Sequence, residues 1–272
     1  MYQSYWKLKL PAFDNGLDAR FFYLSSQHEE ALTRLKYVVE GRKSIGLLTG
    51  DYGVGKTQLV RELWLRLHGQ TAQLAYVGSP QLSMDEVLDC VVRSLAAGNP
   101  QPPAAGRANL LRALEEILQR NHEIGRLTAI ILDDAHLVQD LRVFEELRSL
   151  LNLSFDSDAP LLTLILVGQT ELRERVGALP QFRQRVSFPY HLGPLAAGDV
   201  PRYLEHRLRA AGAERPQDVF SPEGAAALAE ASKGNPRVLN ALAEAALLCG
   251  AMKKAAAIDA AIVAEVRSEV WA

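Results

Sequence analysis

Cysteine is nearly missing from this chain. Cys90 and Cys249 are the two present, each in an apolar stretch with helical character. Two thiols exclude a disulfide framework, and no Cys/His cluster has zinc spacing, so the expectation is a pair of buried, reduced side chains. The first residues, Met1 to Leu8, lack the apolar core of a signal peptide. No run reaches the roughly 18 apolar residues that a membrane span needs. These absences predict a cytoplasmic protein with no direct membrane insertion. An excess of either charge is also lacking: 30 Lys and Arg stand against 32 Asp and Glu, a formal net charge of −2. That excludes a global basic footprint for nucleic acid and leaves open a local one. With 48% hydrophobic and 23% charged residues over 272 positions, the composition suits an αβ domain followed by a small second module.

What is present is concentrated in Leu47-Leu48-Thr49-Gly50-Asp51-Tyr52-Gly53-Val54-Gly55-Lys56-Thr57. The apolar run from Ile45 reads as a short buried strand, and the stretch from Gln58 to Leu67 has helical periodicity. A strand, Gly-x-x-x-x-Gly-Lys-Thr and a helix form the Walker A context. Gly50, Gly53 and Gly55 are expected to take positive φ and let the backbone approach a ligand. The amides of Asp51, Tyr52, Gly53, Val54, Gly55, Lys56, Thr57 and Gln58 can then face phosphate oxygens at the positive end of the helix. Lys56, expected as a solvated charge, would serve the β- and γ-phosphates of ATP, and Thr57 would be a ligand of Mg2+.

Taken in order, residues 1 to 25 are aromatic-rich and irregular. A helix with Ala31, Leu32, Leu35, Val38 and Val39 on one face follows a Ser26/Glu29 capping box and ends at Gly41. Strands are expected at 72–77, 128–134, 161–169 and 186–192. Helices are expected from Ser83 to about Ala97, and near 108–122, 140–153 and 171–176, with a turn at 180–185. The proline- and glycine-rich stretch from Gly98 to Gly106 reads as a mobile surface loop. Alternating strands and helices predict an α/β fold with a parallel sheet covered on both faces. Beyond Pro194 only helices are expected, near 197–211, 222–232, 236–250 and 258–270, forming an all-α module.

Ile130-Ile131-Leu132-Asp133-Asp134 has the pattern of a Walker B strand. Asp133 would hold Mg2+, largely through water, and Asp134 would polarise the attacking water as a general base. A strand closed by an Asp-Asp turn is the structural alternative. Gln169, after the next buried strand, is either a γ-phosphate sensor or a cap for the helix at Glu171. Arg183 and Arg185 stand where ring ATPases place a finger that reaches a neighbouring subunit's ATP; the alternative is a charged surface turn. In Gly234-Asn235-Pro236-Arg237, Arg237 would point to the γ-phosphate in the sensor 2 role, or else follow a capping Asn at the surface.

Taken together, these stretches resemble the ExeA/GspA-type branch of AAA+ ATPases, which is itself similar to TnsC-type transposition ATPases. The resemblance covers nearly the whole chain. It rests on Asp18 to Ser25 with His28 to Leu32, the Walker A stretch, Leu132 to His136, Glu146 to Leu153, Leu166 to Leu172, Phe182 to Val186, Tyr190 to Leu192 and Gly234 to Arg237. It implies a P-loop αβα sandwich over residues 26–193 and a helical lid over 194–272. It also implies ATP with Mg2+, hydrolysis to ADP and phosphate, and an ATP-dependent ring or helical homo-oligomer. Residues 1–25 would cover the nucleotide site, because the region of Tyr23 and His28 is similar to the family segment over the adenine. Two departures stand out. Asp134-Ala135-His136 replaces the usual Asp/Glu-Glu-Ala-Gln. Secretion-type members typically continue into a membrane anchor and a peptidoglycan-binding domain, whereas this sequence stops after the lid.

The reading is an ATP-driven motor or assembly switch for an envelope secretion, pilus or polysaccharide system, with a protein partner not identified by sequence. A DNA-associated ATPase that regulates a transposase is the alternative; net charge disfavours it, while Arg61, Arg66, Arg202, Arg207 and Arg209 are the basic residues it would use. A nucleotide-gated scaffold with little hydrolysis is the third reading.

Overall fold

The computed structural model describes residues 2–78, 83–96, 106–153 and 160–270. The loop expected from Gly98 falls outside the described residues up to position 105. In chain order the elements are α1 (Tyr2–Tyr5), α2 (Ser26–Glu40), β1 (Ile45–Gly50), α3 (Lys56–Leu67), β2 (Ala72–Val77), α4 (Met84–Leu95), α5 (Arg107–Glu123), β3 (Leu127–Leu132) and α6 (Arg142–Leu150). They continue with β4 (Thr163–Gly168), α7 (Glu171–Gly177), α8 (Pro180–Arg183), β5 (Val186–Leu192), α9 (Val200–Ala210), α10 (Pro222–Ser232), α11 (Pro236–Met252) and α12 (Ala260–Val270). The chain forms two compact units. One holds His28–Asp51 and Leu59–Leu192; the other holds Met1–Gln27, Tyr52–Gln58 and Gly193–Ala272.

The αβ unit is built on a sheet whose strand order, among the described residues, is β2-β3-β4-β1-β5, every pair parallel. β1 and β4 are buried at every position, as strands covered on both faces must be. β5 alternates between half-buried and exposed positions. It also contains Pro189, which an edge strand tolerates because one side of its ladder is free. Val38 and Leu35 of α2 pack on β1 so closely that a Cβ on Gly46 would meet Val38 at 3.2 Å. Phe144 and Phe182 meet edge to face at 5.6 Å inside this core. Each large side chain so buried contributes about 1.5–3 kcal/mol.

Local signals explain most of the boundaries. Ser83 Oγ accepts from the Glu86 amide, and the Ser83 amide donates to Glu86 Oε2 at 2.8 Å, a reciprocal cap that starts α4. The Ser26 expectation is corrected by one position: Ser26 is already the first residue of α2. The buried-thiol expectation is also corrected. Cys90 is exposed, because α4 buries Val87, Leu88, Val91 and Val92 and turns position 90 to solvent; Cys249 is half-buried.

The helical unit has its own core, formed by α9, α10, α11 and α12 together with residues of the N-terminal segment. That segment, irregular on paper, is bound along its length. Trp6 Nε1 donates to the Leu247 carbonyl at 2.8 Å, and the Lys9 amide donates to the Ala211 carbonyl at 2.8 Å. Arg207 of α9 is 6% exposed. Its Nε donates to the Ala12 carbonyl at 2.7 Å and its Nη2 to that of Asp14, while the guanidinium lies over Phe13, Phe21 and Tyr203. Tyr203 Oη donates to Asn240 Oδ1 at 2.6 Å, and Asn240 Nδ2 donates to Asn15 Oδ1 at 2.8 Å. Phe220 and Ile258 form an isolated parallel bridge, in which the Ser221 amide donates to the Ile258 carbonyl at 2.9 Å and the Ile258 amide to the Val219 carbonyl at 2.8 Å.

Candidate nucleotide site

Parallel strands put all their C-terminal ends on one edge of the sheet, and the chemistry-bearing residues follow those ends. Asp51 comes after β1, Asp133 after β3 and Gln169 after β4. Thr170 Oγ1 donates to Asp51 Oδ1 at 3.2 Å, tying the turn after β4 to the start of the glycine loop. Gly50 ends β1 and does not take positive φ, contrary to expectation; the turn begins after it. Gly53 and Gly55 do, at +83° and +101°. Their backbone curl is what a phosphate cradle requires. Lys56 opens α3 and is 8% exposed. It is a buried cation, not the solvated charge expected. Thr57 follows in the first turn.

The tip of the loop carries a second contact. Asn235 caps α11 through Oδ1, which accepts from the amides of Arg237 (3.0 Å) and Val238 (3.4 Å). The Nδ2 of the same side chain donates to the Tyr52 carbonyl at 2.8 Å. Arg237 lies over the Tyr52 ring, 4.6 Å from its centroid. A Cβ on Gly53 would be 2.8 Å from both Arg237 Cβ and Asn235 Oδ1. Thus glycine is needed at 53 for the left-handed φ and also for the close approach of the turn that carries Arg237. Gln58 Nε2 donates to the Gly16 carbonyl at 2.8 Å, so the N-terminal segment also reaches the start of α3.

Asp133 is 2% exposed. Its Oδ1 accepts from the Asp134 amide at 2.9 Å and its Oδ2 from Tyr76 Oη at 3.0 Å. Asp134 is left-handed (φ 52°), a conformation Asp tolerates better than most residues, and its side chain is half-exposed. His136 Nδ1 is 3.9 Å from Asp134 Oδ1. Gln169 engages α7 through its carbonyl, which accepts from Leu172, and α7 starts without a side-chain cap. The capping alternative for Gln169 is therefore not realised.

Arg183, at the end of α8, is exposed. Arg185 is half-buried and donates from Nη2 to Asn152 Oδ1 at 3.0 Å, a partner from beyond its own turn. Tyr23 belongs to the helical unit. Its ring meets Tyr203 edge to face at 5.9 Å, and its hydroxyl is 3.5 Å from Asp199 Oδ1. Partial burial and then the Asp199 charge push its phenol up from the ordinary value. His28 is buried in α2 of the αβ unit. Tyr76, Thr170 and Asn152 were given no site role by the sequence: each matters through one bond to a residue distant in the chain.

A family model described as an AAA domain matches residues 39–176, half of the chain. The chain belongs to the AAA domain family. Like other AAA proteins it has the P-loop fold, here with the helical unit as well. Over 251 residues it is 34% identical to general secretion pathway protein A of Aeromonas hydrophila, a match that covers 91% of this chain and 44% of that protein. The chain thus spans less than half the length of this curated relative. Among solved structures, the Aeropyrum pernix ORC2 protein superposes with a TM-score of 0.71 at 19% identity, covering 95% of this chain and 70% of that one. Pyrobaculum aerophilum Cdc6p gives 0.68 at 18%, over 91% and 67%. The Thermotoga maritima RuvB Holliday junction branch migration motor gives 0.57 at 20%, over 89% and 68%. At these identities the likeness shows the fold. Among the described residues, no helix is long and apolar enough to cross a membrane.

Proposed function

We propose that this chain binds ATP with Mg2+, hydrolyses it, and works as an oligomeric motor or assembly switch for an envelope secretion, pilus or polysaccharide system. The observation that carries the reading is the seating of Asn235 and Arg237 on the glycine loop at Tyr52 and Gly53. A loop shaped for phosphate and a cation carried to its tip make a site for a nucleoside triphosphate. The envelope role is supported by the 34% identity to a protein named for the general secretion pathway.

In this reading Lys56 neutralises charge on the β- and γ-phosphates, and Arg237 does so from the helical lid, residues 194–272. Thr57 and Asp133 hold Mg2+, which when bound offsets phosphate charge. The donor chemistry fits such an ion, because a carboxylate and a hydroxyl are the hard oxygen ligands that Mg2+ takes. Asp134, half-exposed at the strand end, polarises the attacking water. Gln169 follows β4 as the γ-phosphate sensor. Tyr23 and His28 belong to the part that covers the adenine, and the bond from Gln58 to Gly16 supports a nucleotide-side role for residues 1–25. Arg185, or Arg183, acts on the ATP of a neighbouring copy. The DNA-associated reading loses one of its basic residues, since Arg207 is buried against the N-terminal segment.

ATP turnover and light scattering test this together. Wild-type protein should hydrolyse ATP and grow into larger particles with ATP or a non-hydrolysable analogue. Lys56→Ala should lose ATP binding. Asp134→Asn should keep binding and slow hydrolysis by about 10²-fold or more. Mixing Arg185→Ala with Lys56→Ala should restore some turnover, because each variant supplies what the other lacks. No nucleotide-dependent growth and no restored activity would refute the oligomeric switch. Background turnover by the wild type would move the reading to the scaffold, and growth only on DNA to the transposition type.

A further inference from the structure

Tyr76 is the next-to-last residue of β2, in register with Ile131 of β3. Its neighbours Ala75 and Val77 point into the core, and it points out, 41% exposed. From there its ring turns over the strand end. Gly78 leaves the room: a Cβ at that position would lie 2.9 Å from Tyr76 Cε1. The hydroxyl arrives 3.0 Å from Oδ2 of Asp133, a carboxylate 2% exposed. The chain after β3 stays alongside β2 for one residue more, with the Asp133 amide donating to the Val77 carbonyl at 2.9 Å. The Asp134 amide takes Oδ1 at 2.9 Å. A donor on each oxygen fixes the plane of the carboxylate and its distance from the strand.

We propose that Tyr76 is a positioning residue for Asp133, holding the carboxylate in the orientation from which it binds Mg2+. The proposal rests on the reading of Asp133 as a magnesium-holding residue. The donor is durable. A tyrosine phenol ordinarily titrates near 10, so it remains a hydrogen-bond donor near neutral pH. A group that orients a metal-binding carboxylate typically contributes about 10–100-fold to metal affinity. Because Tyr76 is partly exposed, the lower end applies.

The test is Mg2+ titration of the wild-type chain, Tyr76→Phe, Tyr76→Ala and Asp133→Asn, read by binding of a fluorescent ATP analogue, with urea midpoints as the check on folding. Tyr76→Phe keeps the ring and loses the hydroxyl. It should raise the half-saturating Mg2+ concentration about tenfold while leaving nucleotide affinity in EDTA unchanged. Tyr76→Phe with the wild-type midpoint overturns the proposal. So does a shift confined to Tyr76→Ala, which would make the ring a packing element. If wild type and Asp133→Asn respond identically to Mg2+, the reading of Asp133 itself fails and takes the proposal with it.

Discussion

Replacing Gly53 with alanine tests the seating of the Asn235–Arg237 turn on the glycine loop. The backbone there has φ +83°, and holding an alanine in that region costs roughly 1–2 kcal/mol. The new methyl would stand 2.8 Å from Arg237 Cβ and 2.8 Å from Asn235 Oδ1. The first atom is fixed to the α11 backbone and cannot swing away. The second can move only by releasing the amides it caps, about 1 kcal/mol, and the bond to the Tyr52 carbonyl, about another 1 kcal/mol. The combined penalty is about 3 kcal/mol, and it falls on the loop rather than on either core. In affinity that is roughly a hundredfold, readable by calorimetric titration with ATP. Gly69→Ala is the control. Its φ is +75°, but a Cβ there meets nothing within 4 Å. It should lower stability to urea by about 1 kcal/mol and leave ATP affinity alone. In the Asn235→Ala background the Oδ1 clash is gone, so Gly53→Ala should cost less than it does by itself. An ATP affinity for Gly53→Ala within about threefold of wild type, or a strictly additive cycle, refutes the reasoning.

Two further predictions concern the helical unit. Arg207→Ala strips the donors from the Ala12 and Asp14 carbonyls and should destabilise the unit by about 2–4 kcal/mol; an unchanged urea midpoint, with no new protease cleavage in residues 1–25, would contradict it. His206 has a buried Nε2 without a hydrogen-bond partner among the described residues, and burial holds its pKa below the ordinary value. Its unfolded form therefore takes up a proton first as pH falls through about 6.5. The stability it contributes is present above that pH and is lost as pH drops towards the folded pKa. Thermal melts between pH 7.5 and 5 should show this loss, and His206→Gln should flatten it; an identical pH profile for the variant rules out His206 as the source.

Strand positions were legible because β1, β3 and β4 are apolar runs bounded by Gly, Asp or Gln, and such runs have little choice but a buried parallel sheet. Helix faces were legible where periodicity was strong, as for Leu32, Leu35 and Val39. The strand order was not, since nothing local says that β1 lies between β4 and β5. The glycine loop announced itself by spacing, and Asn235 by its place before Pro236. The bond from Asn235 to the Tyr52 carbonyl links positions 183 apart, and composition carries no trace of it. The same holds for Tyr76 with Asp133 and for Arg185 with Asn152. Arg207 misled for another reason: a charged side chain reads as surface unless its partners are known, and here they are backbone carbonyls, which every residue has.

The way Arg207 and Trp6 are satisfied has a consequence for how the chain is made. Arg207 lies 195 positions from Ala12, and Trp6 lies 241 from Leu247. At about 5–20 residues per second, a ribosome needs roughly 10–50 s between making one partner and the other. The αβ unit can close once Leu192 has emerged. The helical unit cannot, because Trp6, Phe13 and Phe21 have no core until α9, α11 and α12 exist. Contacts of such long sequence separation also form slowly once both ends are free. In that interval the aromatic N-terminal segment is the sticky part of the nascent protein, and it is where a chaperone or an aggregating neighbour would take hold.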